Sequence, residues 1–267
     1  MRRKFLWIPI LLTGVVLWFT NVSSAQPVSL TPDQLDQLVA RIALYPDPLL
    51  AQILTASTFT DQIPEAAAWA NEHSYLHGEE LSKAISDDHL QWDPSVLALL
   101  PFPSVLNMMN SDMAWTRQLG DAVLTQRSQV MDAVQRMRRK AHDAGYLQTN
   151  SYVRVVANPG YIEILPVDPA YIYVPVYDPL VVFSGHLGHV AVSAAISFGP
   201  PVYIGSAFVA FGWTGAGFIW PSHVLLIDHR PWDRTWIARA SYVHRYSWVR
   251  PAGPRVEVHD IHRPHRR

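Results

Sequence analysis

The spacing of apolar residues changes once along this chain, near Asn150, and that change restricts the fold more than any other feature. From Leu30 to Tyr146 the steps are helical. Thr31-Pro32-Asp33-Gln34 offers an N-cap, a proline at the first helical position and a glutamine where a capping box needs one. The stripe Leu35, Leu38, Val39 and Ile42 follows. Tyr45-Pro46-Asp47-Pro48 breaks the pattern, with Asp47 placed to cap the next helix and Pro48 to open it. Asp93-Pro94 repeats that signal before Val96–Leu100, and Pro101 and Pro103 are expected to stop the helix it starts. One long helix is predicted from about Asp112 to Ala144, with Leu119, Val123, Val130, Val134, Met137 and Ala141 near one face and Gly145 past its end. Arg136, Arg138, Arg139 and Lys140 crowd its last turns, where the helix dipole favours cations. They read as a solvated helix end rather than a nucleic-acid site.

After Asn150 the pattern is that of strands. Tyr152–Val156, Tyr161–Leu165 and Tyr171–Val174 are rich in β-branched and aromatic residues, with a turn signal at Asn158-Pro159-Gly160. Pro166, Pro169, Pro175 and Pro179 have no N–H to give to a ladder, so they limit these strands to short pieces or sheet edges. Two Pro-Val…Asp-Pro units read as a local repeat of strand and turn. The expected fold class is therefore α+β, an α-helical half followed by a strand-rich half with short Pro-bounded strands.

The amino terminus has the layout of an export signal. Met1-Arg2-Arg3-Lys4 precedes an apolar run from Phe5 to Phe19, then small residues at Ser23 and Ala25, which places cleavage after Ala25. A retained anchor fits less well, because the run is short and Pro9 and Gly14 interrupt it. The chain contains no cysteine, so disulfides, thiolate chemistry and acylation of a lipoprotein cysteine are excluded, and burial or partners must hold the fold together. The expected organisation is a signal peptide at 1–25, a helical region at 26–149, a strand-rich segment at 150–183, an uncharged stretch at 184–228 and a basic tail at 229–267. The expected location is the periplasm or cell envelope.

Charge is divided unevenly along the chain. Residues 229–267 hold nine arginines against Asp233, Glu257 and Asp260, a formal +6, whereas 26–228 carries nine basic and 19 acidic residues, a formal −10. Such a tail attracts an anionic surface of glycolipid or phospholipid, an envelope protein, or the acidic body of its own chain; no specific nucleic acid is expected. Trp232, Trp236, Tyr242, Tyr246 and Trp248 alternate with Arg230, Arg234, Arg239, Arg245 and Arg250. A packed final hairpin, with Trp236-Ile237-Ala238 and Ser241-Tyr242-Val243 as its strands, is expected there, and disorder over 251–267.

Between Asp178 and Asp228 there is no charged residue apart from histidine. The apolar run Val202–Trp220 has the length of a membrane span. Gly205, Gly212, Gly215 and Gly217, fenced by Pro200-Pro201 and Pro221, favour a packed core or partner-facing hairpin instead. Membrane contact at 202–220 stays open at this point.

No arrangement in the sequence amounts to a reaction mechanism. There is no nucleophile elbow, zinc-protease helix motif, phosphate loop or dinucleotide fingerprint, so no catalytic, cofactor-binding or metal residue is assigned. His259, His262 and His265 with Asp260 are the best metal hint, but Pro264 opposes a shared helical face and the arginines repel a cation. His186 with His189, and His73 with His77, read as turn or helix-end histidines. Glu79-Glu80 and Asp87-Asp88 are adjacent pairs, and adjacent residues do not face one another on a helix.

Several collinear blocks resemble one bacterial family, domain of unknown function 3300. They are Leu44-Tyr45-Pro46-Asp47-Pro48-Leu49-Leu50-Ala51-Gln52-Ile53-Leu54, Trp69-Ala70, Trp92-Asp93-Pro94-Ser95-Val96, Leu99-Leu100-Pro101-Phe102-Pro103, and Ile172-Tyr173-Val174-Pro175-Val176-Tyr177-Asp178-Pro179. The match covers about residues 33 to 183. It implies an exported protein of Gram-negative bacteria with a helical portion followed by the Tyr-Val-Pro-Val-Tyr strand, and it brings no catalytic residues. The expected function is that of an envelope protein that binds or scaffolds. Weak metal binding through the terminal histidines, or an enzyme without a recognisable motif, are the alternatives.

Overall fold

The computed structural model describes residues 29–183 and 195–239. The fold is α+β. Eight helices, α1 (Pro32–Val39), α2 (Asp47–Ala56), α3 (Ile63–Glu72), α4 (Gly78–Asp87), α5 (Pro94–Leu97), α6 (Pro103–Ser111), α7 (Met113–Thr125) and α8 (Arg127–Asp143), precede the first strand. A hairpin of β1 (Val153–Asn158) and β2 (Tyr161–Pro166) turns at Pro159-Gly160. β3 (Tyr171–Tyr177), followed by the short α9 (Pro179–Phe183), pairs antiparallel with β4 (Ile196–Tyr203). The three-stranded sheet β5 (Gly217–Ile219), β6 (Val224–Ile227) and β7 (Arg230–Pro231) closes the described chain.

The N-terminal capping box forms as its residues require. Gln34 N donates to Thr31 Oγ1 at 3.3 Å, and Thr31 N donates to Gln34 Oε1 at 2.9 Å. The chain's four Asp-Pro steps then divide. Asp93, Asp168 and Asp178 each accept from the backbone N–H two residues on, at 3.0, 2.9 and 2.8 Å, the short turn that Asp favours. Asp47 does not cap its helix at all, contrary to the expectation, because its carboxylate is used elsewhere in the core.

Two further expectations are corrected. Pro103 opens α6 rather than ending α5, which stops at Leu97; a missing N–H costs nothing in the first turn. The single helix expected over 112–144 is two, α7 and α8, interrupted at Gln126 (φ −137°, ψ 37°). The Gln126 side chain accepts from Leu30 N at 2.8 Å and donates to Leu30 O and Ser29, so the break fastens the start of the described chain to the bundle. Asp112 caps α7 by accepting from Trp115 N at 3.0 Å, and that bond, more than nearby Arg41, holds its carboxyl below the usual carboxylate range.

One continuous apolar core runs from Leu35 through the helices to Ile172 and Val174, and on to Phe208, Phe211, Trp213, Trp220, Leu225 and Trp232. Residues 202–220 form the end of β4, a 3₁₀ turn at Ser206–Phe211 and β5, not one apolar helix. Among the described residues no helix is long and apolar enough to cross a membrane. Instead, the stretch packs on the helices and is tied to them by polar bonds. Ser82 Oγ donates to Ala207 O at 2.6 Å, Gln52 Nε2 to Gly212 O at 2.7 Å, and Trp213 Nε1 to Ala98 O at 3.0 Å. The expected hairpin strand at 236–238 is a turn, with Ile237 91% exposed. Its other half, the leader, His186 with His189, and His259, His262 and His265 lie outside the described residues.

Candidate functional site

The first cluster of chemistry-bearing residues surrounds Arg138, whose side chain is completely buried. Its Nη1 donates to Asp47 Oδ1 at 2.6 Å and to Ile162 O at 2.8 Å, its Nε to Ala43 O at 2.9 Å, and its Nη2 to Tyr45 O at 3.0 Å. The guanidinium lies 5.0 Å from the Trp220 ring centroid, and Trp220 Nε1 donates to Asp47 Oδ2 at 2.9 Å. Gln135 pairs both ways with the Ile162 backbone, accepting at 2.7 Å and donating at 3.0 Å. The solvated reading of the basic cluster is therefore wrong for Arg138, and in part for its neighbours: Arg136 and Lys140 both reach Asp36, at 2.7 and 3.1 Å. A signal was present in the sequence. Position 138 is four residues after Val134 and three before Ala141, on the apolar stripe itself. With its donors committed to buried acceptors, this cluster locks α8, the turn before α2, β2 and Trp220 together; it is a structural hub.

The second cluster is open. Between the α1–α2 turn, α4 and α6 on one side and the β3–β4 ribbon on the other is a cleft of about 920 Å³, a size that suits a ligand or a peptide segment. Proline shapes both walls. Pro101 and Pro103 come from the turn into α6, Pro175 from β3, Pro200 and Pro201 from β4, and Pro179 from the start of α9. The ribbon tolerates them because it is two-stranded, so each strand is an edge, and because the register shifts between Tyr173 and Pro175. A wall of prolines presents carbonyls without N–H donors. Tyr171 and Tyr203, cross-strand partners with ring centroids 5.5 Å apart, stand at one end. Val176, 61% exposed, contributes apolar surface.

Two phenols reach the cleft from its buried side. Tyr177 Oη donates to Ala40 O at 2.8 Å and accepts from Leu44 N at 3.4 Å, and burial raises its pKa well above the ordinary value. Burial likewise pushes Tyr45 up to about 12. Arg41 at the rim pairs with Asp112 at 3.0 Å and lies 5.4 Å from the Trp115 ring. His77 is the residue before α4. Among the described residues no carboxylate lines the cleft. The sequence did not single out this site, although the wall prolines lie in segments marked there as helix stop, strand limit or fence.

The histidine and carboxylate pairs weighed in the sequence do not come together. His73 ends α3, stacked on Trp69 at 3.9 Å, while His77 precedes α4. Asp87 pairs with Lys83, and Asp88 accepts from Trp69 Nε1 at 2.6 Å. Among the described residues no group of three or more His, Cys, Asp or Glu could hold a metal ion. The first part of the basic tail lies on the body. Arg127 donates to Trp232 O at 2.8 Å and to Arg234 O, and it stacks on Trp232 at 4.6 Å, while Arg234 pairs with Asp93 at 3.2 Å.

Comparison with known proteins extends the sequence resemblance. The "Uncharacterized protein YacH" of Escherichia coli (strain K12) is 34% identical over 203 residues, which span 64% of this chain and 31% of that relative. This chain thus corresponds to less than a third of the relative's length. No solved structure matches it. The model of the family described as "Protein of unknown function (DUF3300)" matches residues 31–249, from the capping box into the basic tail, and the chain belongs to that family.

Proposed function

We propose that the chain is an exported cell-envelope protein that binds a partner rather than transforming it, and that the proline-walled cleft takes an extended apolar segment of that partner. The cleft is the observation that carries this reading. It is large, apolar and open, and its titratable side chains among the described residues are an arginine already paired, a histidine and four tyrosines, of which Tyr45 and Tyr177 have their pKa raised by burial. Its prolines offer acceptors and flat apolar faces, which suit an extended chain bringing its own N–H donors. Export is supported by the three cations, apolar run and small residues at the amino terminus. The tail beyond residue 239 keeps six arginines for an anionic surface.

The test measures anisotropy of labelled extended peptides, rich in proline and apolar residues, against the purified chain and its Val176→Asp variant. Saturable binding that the variant loses is expected, because a charge would be placed on an apolar wall at an exposed position that the fold tolerates. Equal binding by the variant, or no saturable binding by any peptide, refutes the reading. Fractionation with N-terminal sequencing tests export: a mature start at Gln26 outside the cytosol is expected. Deleting residues 240–267 is expected to abolish salt-sensitive binding to anionic vesicles.

A further inference from the structure

A second cavity, of about 690 Å³, lies where the segment after α8 meets β1 and the β3–β4 ribbon. Its chemistry differs from that of the cleft. The floor is apolar, from Leu44, Val153 and Ile196, and among the described residues no charged side chain lines it. Aromatic rings cluster at one wall: Tyr152 stacks on Phe198 at 4.7 Å and meets Tyr173 at 4.9 Å, yet stays 40% exposed.

Two polar groups there have donors with no bond to any described residue. Asn150 Oδ1 accepts from Tyr152 N at 2.8 Å and from Val153 N at 3.0 Å. These bonds fix the amide and leave its NH2 with no bond to any described residue. Tyr146 lines the same cavity, nine-tenths buried, and its hydroxyl has no hydrogen-bond partner. A buried, unsatisfied hydroxyl costs about 1–3 kcal/mol; this oxygen is closed to water, so a ligand acceptor would remove that cost by drawing the side chain's hydroxyl end to the cavity. The exposed Gln148 adds a further neutral amide at the rim.

From this combination we infer a saccharide subsite whose ligand is an N-acetylated hexopyranose. The sugar's apolar face suits the Tyr152–Phe198 platform, as amphipathic aromatics favour ligands with one apolar side. Its acetamido group supplies a carbonyl for the Asn150 amide or the Tyr146 hydroxyl, and a methyl for the apolar floor. The absence of charge in the lining matches a neutral sugar and disfavours phosphate or carboxylate ligands. This site does not depend on the cleft's occupant.

The β-linked tetramer of N-acetylglucosamine, titrated calorimetrically into the full purified chain, tests the inference, with cellotetraose as the comparison lacking acetamido groups. Saturable binding of the first, at least several-fold tighter than the second, is expected. Tyr152→Ala should weaken it about tenfold, the scale of one lost ring contact. Tyr146→Phe removes one oxygen and no bond. It should weaken binding about fivefold or more while leaving the melting temperature unchanged or raised, which separates a ligand role from a structural one. Purified peptidoglycan sacculi and lipopolysaccharide form two further arms; retention on one of them alone, lost in Tyr152→Ala, identifies the natural source. No saturable binding of the tetramer up to about 10 mM, equal binding of cellotetraose, or binding that both variants leave untouched overturns the inference.

Discussion

Arg138 shows how one residue in a run of charges is given a different role from its neighbours. Its buried pair with Asp47 is not by itself a source of stability, because desolvating two charges offsets most of their attraction. The difference here lies in the three backbone carbonyls the guanidinium also satisfies, those of Ala43, Tyr45 and Ile162. Arg138→Met is therefore expected to cost about 3–5 kcal/mol in urea unfolding. Adding Asp47→Asn should recover only part of that, since the carbonyls stay unpaired; full recovery would show that the charge pair alone matters. Tyr45 makes a pH prediction at the same scale. Its folded-state pKa of about 12 lies above the ordinary 10.0, so the folded chain keeps a proton that the unfolded chain releases. That contribution is whole below about pH 10 and is lost as pH rises through about 12, on the order of 2–3 kcal/mol. Circular dichroism over that range should show alkaline unfolding, shifted to higher pH in Tyr45→Phe.

At the scale of elements, the close crossing of α7 over the end of α2 turns on Gly120. Alanine normally favours a helix over glycine by about 1 kcal/mol. Here a Cβ would collide with the backbone carbonyl of Ser57, which no side-chain motion can relieve. Gly120→Ala is thus expected to lower stability by about 2 kcal/mol or more despite its better propensity, read as a fall in thermal midpoint. A rise would mean that the two helices separate at little cost. The Asp-Pro steps show the same dependence on surroundings: three make the local turn their sequence favours, and the fourth gives its carboxylate to Arg138 and Trp220.

Across the whole molecule, the helical half and the residues after 195 share one core, joined by Gln52, Trp213 and Trp220. The two halves should therefore unfold together. Trp220→Ala, which removes the ring over Arg138 and the bond to Asp47, is expected to cost about 3–5 kcal/mol. It should raise protease sensitivity in α2 and α8 as well as in 195–239. Cleavage confined to 195–239, with the helices still protected, would show two independent units.

The sequence alone determined what depends on neighbours along the chain: the helical first half, the capping box, the short strands after it and the family. These follow from backbone chemistry, because a proline's missing N–H or a threonine's capping oxygen acts within a few residues. Only the tertiary structure decided what depends on distant residues meeting. It broke the helix expected over 112–144 at Gln126, because Leu30 came close enough to bond it, and it buried Arg138, because Asp47 and Trp220 arrived from 91 residues before and 82 after. The cleft and the aromatic cavity belong to the same class. Their residues were visible as prolines, tyrosines and amides, but a binding surface is a matter of which groups face one another across a gap, and that is set by packing.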